Sequence, residues 1–380
     1  MACLAVAAIS ARMMAESAAQ GGFDVAALDL FGDRDTRRAS TEWFPAGTPD
    51  GFRIDAEKTL AVLKRLPGRN GMIGWVAGSG FEGLPDLLEQ GAEVLPLIGT
   101  PAAAVRRVRD PGSFFGFLDS EQIGHPPIRS DPPADSTGWL IKNARGNGGW
   151  HIRRASPNEA EVPQHHYFQR HACGSPMSAT FIANGADACV LGFNELIVRR
   201  FGARPFVFCG SVGPVPLADD VARRLTRAVR RLAAEFSLRG LGSLDFMLDE
   251  NHIAVLEVNP RPSASMALYS RHLPQGLMAA HVRACTHAEL PRLDAVPQPV
   301  NGTEIVFARR SLVLDEAASA RLAQWPNGHD LPFVRSSAGA AFDAGDPVCS
   351  VSAAGATAEQ ARTQLTQRRE ALLNTLETWA

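Results

Sequence analysis

Over the first hundred residues, short apolar runs alternate with segments of helical spacing. That alternation confines the region to a parallel sheet with helical crossovers. Cys3 to Ile9 reads as a buried strand, and Ser10 to Gln20 carries helical spacing through Met13, Met14, Ser17 and Ala18. Gly21-Gly22 ends that helix. Val25 to Leu30 is a second apolar strand and completes a βαβ unit. A helix around Ala56 to Lys64, a strand at Met72 to Ala77, a helix at Leu84 to Gln90 and a strand at Glu93 to Ile98 continue the pattern. The turn after the first strand reads AISAR and lacks GxGxxG. A structural or substrate-facing domain is therefore favoured over dinucleotide binding.

Val105 to Ser120 reads as helix interrupted by Pro111-Gly112, and proline pairs at 126–127 and 132–133 punctuate a linker. From Trp139 the texture changes. β-rich runs appear at Trp139 to Asn143, Tyr167 to Arg170, Ser178 to Ala183 and Cys189 to Leu196. An amphipathic helix follows, with Val221, Leu225, Val229, Leu232 and Phe236 on one stripe and Arg223, Arg224, Arg227 and Arg230 off it. Strands at Ser243 to Leu248 and His252 to Val258 are joined by a turn at Asp249-Glu250-Asn251. Past Pro291 come a linker, a β-rich stretch to about Ala354 and a helix from Thr357.

Bulk properties exclude several classes. The formal net charge of -2 gives no global pull toward nucleic acid or anionic membrane. No stretch is long and apolar enough to span a bilayer. The apolar opening MACLAVAAIS lacks a basic flank and runs into Arg12 and Glu16, so it reads as a first strand rather than a signal peptide. Six cysteines without a CxxC pair argue for a reducing compartment, and the expected location is cytoplasmic.

Three constellations carry chemistry. In Lys142-Asn143-Ala144-Arg145-Gly146-Asn147-Gly148-Gly149, a strand ends in a lysine and a glycine-rich loop turns back. Such a loop can lay its N–H groups against a polyphosphate while the lysine adds fixed charge. A hairpin whose glycines only supply positive φ is the alternative. Among 38 basic residues only Lys58, Lys64 and Lys142 are lysines, which tips the balance toward phosphate. In the second, Asp245, Glu257 and Asn259 lie on adjacent strands, with apolar neighbours around the carboxylates. Buried carboxylates are costly unless paired or metal-bound, and two carboxylates with an amide oxygen suit Mg²⁺. In the third, Arg261 stands between Pro260 and Pro262, where a guanidinium can grip a phosphate or carboxylate. The segment Tyr167 to Gly174 is a weaker signal for a hinge that reads adenine. Ser263 and Ser265, and Arg12 with Glu16, are read first as ordinary hydrogen-bonding and ion-pairing groups, with Arg12 and Glu16 as candidates for specificity.

Taken together these segments resemble the ATP-grasp superfamily. The resemblance implies an α/β plus α+β fold: a Rossmann-like pre-ATP-grasp domain (1–100), a two-lobed ATP-grasp domain (101–290) and a small β-rich C-terminal domain ending in a helix (291–380). It gives the phosphates to Lys142, Gly146, Gly148 and Gly149, and the adenine hinge to Gln169, Arg170 and Ala172. It puts Mg²⁺, or Mn²⁺, on Asp245, Glu257 and Asn259 and the acyl phosphate on Arg261. Two departures stand out: a glutamine at 169 where the hinge usually begins with glutamate, and Pro176, Met177 and Ser178 where a ribose-binding glutamate is usual. An earlier lysine is also usual, and Arg109 is the choice for its place over Arg106 and Arg107. The stretch GDPVCSVSAAG is similar to biotin-carboxylase-like members. The segment from Ser10 to Ser40 is similar to predicted carboligases of methanogens and methylotrophs.

The implied activity is an ADP-forming ligation of a small-molecule carboxylate to an amine. C1-carrier cofactors of the methanofuran or tetrahydromethanopterin type are one setting for it. The rivals are a bicarbonate-activating carboxylase, a small-molecule kinase and a non-catalytic ATP-binding module. No nucleic acid or membrane partner is expected, and a homo-oligomer is compatible with the resemblance.

Overall fold

The computed structural model describes residues 1–380 except 49, 157–161, 294–298, 335–338 and 380. Its N-terminal region is a four-stranded parallel sheet in the order Glu42–Pro45, Asp24–Asp29, Cys3–Ala7, Met72–Ala77. The strands follow from continuous apolar runs such as CLAVA, every residue of which is buried, as a sheet covered on both faces requires. One face packs Ala5, Ala7, Leu28 and Trp75 against Leu63, Leu87 and Leu88 of its own helices. The other packs Leu4, Val6 and Val76 against Met14 and Ala18, and then against Leu277 and Met278 of helix Leu277–His287. The parallel sheet is thus mounted on a helix that belongs to the later half of the chain.

The expected strand from Glu93 to Ile98 does not form. Helix Pro85–Val94 absorbs its first two residues, and only Leu97 makes an isolated parallel bridge, to Trp75. Pro96 explains part of this, because it has no N–H to offer a ladder. The helix expected over 105–120 with an interruption at Pro111-Gly112 is indeed two, Ala102–Arg109 and Pro111–Ser120. They break at Asp110, whose side chain accepts the Ser113 N–H and caps the second.

A small antiparallel sheet follows, in the order Ile128–Arg129, His166–Arg170, Trp139–Asn143, Ile152–Arg154. The largest sheet has eight strands, all antiparallel: His252–Asn259, Arg239–Asp249, Ser175–Asn184, Ala188–Phe201, Arg204–Gly213, Val300–Phe307, Pro347–Gly355 and Gly328–His329. The last three of these strands come from beyond residue 290. They continue the large sheet through the pairing of Arg204–Gly213 with Val300–Phe307 and carry a core of their own with Leu365, Leu372 and Leu376.

Helix Asp219–Glu235 covers one face of the large sheet, burying Val221, Leu225, Val229 and Leu232 against Phe181, Leu244 and Phe246. Strand alternation therefore sends Asp245 to the opposite face. No helix of the structure is long and apolar enough to cross a membrane, among the described residues. All six cysteines are free.

Candidate functional site

Two strand pairs, one from each antiparallel sheet, supply most of the site. In the small sheet, Lys142 lies directly opposite Tyr167, and Leu140 opposite Gln169. Directly opposed residues share a face, so Lys142 and Gln169 project from the same side. Both are buried, at 4% and 1% exposure. The Gln169 amide nitrogen is buried without a hydrogen-bond partner, and Lys142 makes no hydrogen bond or ion pair among the described residues but feels the Glu257 and Asp245 charges. Burial pushes the Lys142 ammonium pKa down, and Glu257 opposes that shift. Native proteins rarely leave such groups unmatched, because each orphaned buried donor costs on the order of 1–3 kcal/mol.

In the large sheet, Asp245 and Glu257 are cross-strand partners, as are Ser243 and Asn259. A bulge follows Asp245 and re-aims the strand there. Burial, and then the nearby Glu257 charge, push the Asp245 carboxyl up to about 7. Burial alone would raise Glu257 too, but Arg109, Lys142, His151 and Arg261 outweigh it and hold Glu257 below its ordinary value. The Asn259 amide donates to Asp245 Oδ2 at 3.1 Å and to Ser243 Oγ at 3.3 Å. Its oxygen accepts from Arg261 Nη2 at 3.1 Å.

Arg109 bridges the two sheets. It donates to Glu257 Oε2 at 3.1 Å, to the Ala144 carbonyl at 3.0 Å and to the Gly146 carbonyl at 2.7 Å. The glycine loop is thereby tied to the carboxylate pair. The loop is also clamped from beyond: Phe208 N–H donates to Gly148 O at 3.0 Å. Gly149 has φ of 77°, and a Cβ there would collide with the Phe206 carbonyl. Glycine at 149 is a steric requirement of the fold as well as an option for ligand approach.

Arg170 differs from its neighbours. Its guanidinium lies over the Trp139 ring at 5.7 Å and donates to Thr137 O at 2.8 Å, so its exposed side chain turns away from Lys142, and what it offers the hinge is backbone. Ala172 lies just beyond the strand end, next to His171, which stacks on Phe206 at 5.4 Å. Ser263 and Ser265 hydrogen-bond each other at 2.9 Å, and Ser265 meets Thr180 at 2.8 Å, a self-contained pairing. Arg12 is not available as a specificity residue. It pairs with Glu16 at 2.9 Å and with Asp330 at 2.8 Å, between the N-terminal sheet and the C-terminal region.

Sequence reasoning missed Glu82 and gave no role of their own to Tyr167 and His151. Glu82 is 3% exposed and holds Arg261. Its signal was position, since it follows Met72–Ala77 at the carboxyl edge of the parallel sheet, where such folds bind ligands. Tyr167 is buried opposite Lys142. His151 Nδ1–H donates to Asn147 O at 3.2 Å, and burial pushes its pKa down to about 4, leaving it neutral. A cleft of about 740 Å³ opens beside these groups, lined among others by Glu82, Arg109, Ile128, Ala144, Arg145 and Tyr167.

The donor set fits a hard divalent cation. Two opposed carboxylates, one of them raised in pKa by burial and by its partner's charge, sit beside the Asn259 amide, whose nitrogen faces Asp245 and whose oxygen takes Arg261, so the amide would have to turn to offer oxygen to a cation. Among the described residues no group of three His, Cys, Asp or Glu forms a ready-made cage. The remaining ligands would have to be water or phosphate oxygens, the arrangement Mg²⁺ favours.

Residues 114–265 match the ATP-grasp domain family. The arginine-specific carbamoyl phosphate synthase large chain of Bacillus subtilis (strain 168) is 22% identical over 235 residues, covering 56% of this chain and 22% of that protein. The chain thus spans about a fifth of the length of the curated relatives it matches. Among solved structures, an L-amino acid ligase from Bacillus licheniformis superposes with a TM-score of 0.69 at 14% identity, covering 97% of each chain. A biotin carboxylase–ATP analogue complex from Campylobacter jejuni gives a TM-score of 0.71 at 12% identity, covering 98% of this chain and 95% of that one. At these identities the structural likeness is one of fold.

Proposed function

We propose that this ATP-grasp chain is a Mg·ATP-dependent ligase that joins a small-molecule carboxylate to an amine through an acyl phosphate, releasing ADP and phosphate. The observation that carries the reading is the shared face of the buried Lys142 and the unpartnered Gln169 amide, beside the Asp245–Glu257 pair and the glycine loop. A buried cation of that kind is matched by an anionic ligand. ATP is the ligand that the flanking groups suit.

In this reading Lys142 and the N–H groups of Gly146, Gly148 and Gly149 hold the polyphosphate. Arg109 keeps the loop closed on Glu257 and contributes charge. Gln169 offers its unpaired amide to the adenine edge, with the backbone of Arg170 and Ala172 continuing the hinge. Asp245, Glu257 and Asn259 would hold Mg²⁺, with Mn²⁺ as an alternative, and the cation would neutralise phosphate oxygens in the cleft. The substrate carboxylate attacks the γ-phosphorus, the bond to the β-phosphate oxygen breaks, and ADP leaves. The amine then adds to the acyl carbon, phosphate departs with the C–O bond pair, and the amine proton passes to solvent. Arg261 stands where charge develops in both steps. Phosphate is already a good leaving group, which suits a site without a nucleophilic triad.

The three-domain division at 100 and 290 belongs to the same reading, as does a cytoplasmic location. The separate apolar core beyond residue 290 supports the third unit. For the substrates, the C1-carrier setting rests on the resemblance of the segment from Ser10 to Ser40.

The test is ADP formation from Mg·ATP against a panel of carboxylic acids with and without amines, glutamate included. ADP release that needs both substrates supports the ligase. Release with bicarbonate alone moves the chain to the carboxylases, and a stable phosphorylated product with no amine requirement makes it a kinase. Tight nucleotide binding without turnover across the panel leaves a binding module.

A further inference from the structure

Arg261 is held from a distant part of the chain. Glu82 follows the last strand of the parallel sheet. It accepts from Arg261 Nε at 2.9 Å and from Arg261 Nη2 at 2.5 Å, both on Oε1, across 179 residues of sequence. Its other oxygen accepts the Gly80 N–H at 2.7 Å. The Glu82 side chain is 0% exposed and that of Arg261 is 11% exposed. Burial would raise the Glu82 pKa, but Arg261 and then Arg109 outweigh it, so the carboxylate stays charged.

A guanidinium has five N–H groups in a rigid fork. Glu82 takes two of Arg261's, Asn259 Oδ1 takes one at 3.1 Å and Pro262 O takes one at 3.2 Å. That leaves one Nη1–H, whose direction is set by the other four. The same loop bears on the phosphate side as well: a Cβ on Gly83 would collide with the Arg145 carbonyl of the glycine loop.

We propose that Glu82 is a positioning residue for Arg261: it orients the guanidinium so that its remaining N–H meets the transferring phosphoryl group. The arginine is then competent only while the parallel sheet is docked on the large sheet. The proposal rests on the reading of Arg261 as a phosphate contact. A counter-ion with a purely structural role would instead affect stability and every ligand alike.

The experiment uses the full chain and inorganic phosphate as the probe, titrated calorimetrically into the Mg·ADP complex. Glu82→Gln keeps the shape and one acceptor but loses the charge that fixes the fork. It should weaken phosphate by roughly 10-fold, the scale of losing one charged hydrogen-bond partner, with Mg·ADP affinity within about twofold. Glu82→Asp should recover part of the loss. In an Arg261→Gln background, Glu82→Gln should add nothing further. Unchanged phosphate affinity in Glu82→Gln, alongside a loss in Arg261→Gln, overturns the proposal alone. Additive losses, or a parallel fall in Mg·ADP affinity and melting temperature, overturn it in favour of a structural ion pair. No effect of Arg261→Gln overturns the assignment of Arg261 and this proposal with it.

Discussion

Two buried clusters of arginine and carboxylate lie at opposite sides of the parallel sheet's carboxyl edge, and they are completed differently. Around Arg12, Asp330 accepts at 2.8 and 3.3 Å and Glu16 at 2.9 Å, while Asp35 accepts the N–H groups of Asp330 and Leu331. Ser10 and Ser350 donate to Asp330 as well. Acids outnumber the single arginine there. The surplus is absorbed by Asp33, whose carboxyl is pushed well above its ordinary range by burial and by Asp330, Asp29 and Asp35. Asp33 Oδ2 and the neighbouring Thr36 Oγ1 are buried there without a hydrogen-bond partner among the described residues.

Around Asp245 and Glu257 the unmatched group is the Gln169 amide nitrogen, on the face that Lys142 shares. Lys142 has no direct partner among the described residues, and Gln169 keeps a spare amide on the same face. A cluster closed by its own backbone and side chains is a fastening. A cluster that leaves a buried donor unmatched beside a lysine is a receptor. Burial alone does not separate the two, since Arg12 at 5% and Lys142 at 4% are equally hidden.

The largest test of this difference removes the cation from each cluster. Arg12→Leu strands Asp330 and Asp35 without their counter-charge. It should cost about 3 kcal/mol or more in chemical denaturation, as loss of one partner from a buried pair does. A change under 1 kcal/mol would show that the cluster fastens nothing. At the other site, Glu257→Gln should lower acid-dependent ADP formation by about 100-fold or more, with folding intact by circular dichroism. Retained turnover would remove Glu257 from the reaction.

Lys142→Met sharpens the contrast. It deletes a buried charge that makes no ion pair but helps to hold Glu257 charged, so denaturation should shift by less than in the Arg12 variant. Mg·ATP affinity by calorimetry should fall by roughly 10-fold, the loss of one charged contact. A Lys142→Met chain that is markedly less stable would make the lysine structural, like Arg12. The smallest effect belongs to Glu16→Gln. Glu16 is 38% exposed on its side chain, and water screens its pair with Arg12. The change should stay below about 1 kcal/mol, and a larger loss would place Glu16 inside the fastening rather than at its rim.

Much of the site was readable before folding because its parts lie within single strands and turns. Asp245 and Glu257 stand in apolar runs joined by a tight turn, which makes the hairpin legible, but its register carried back from the turn would set Asp245 opposite Leu256, and the bulge after Asp245 is what brings it opposite Glu257. The lysine before the glycine loop is similarly local. The strand expected at 93–98 failed for a local reason too, since Pro96 interrupts a run that composition alone favours. Arg12 stood next to Glu16 in sequence, and that pair formed, but its stronger partner lies 318 residues away.

What the sequence by itself determined was therefore the set of periodic elements and the short-range pairings within them. Apolar spacing and turn chemistry act over a few residues, and they specify the crossovers of the first hundred residues and the carboxylate hairpin. Only the tertiary structure decided which charges are answered by a direct ion pair: Glu82 pairs with Arg261 and Asp330 with Arg12, while Lys142 has only the field of Glu257 and Asp245. Those outcomes depend on which buried surfaces meet when the parallel sheet docks on the large one. No local pattern records that, because a buried charge looks the same in sequence whether its counter-charge is another side chain or a ligand.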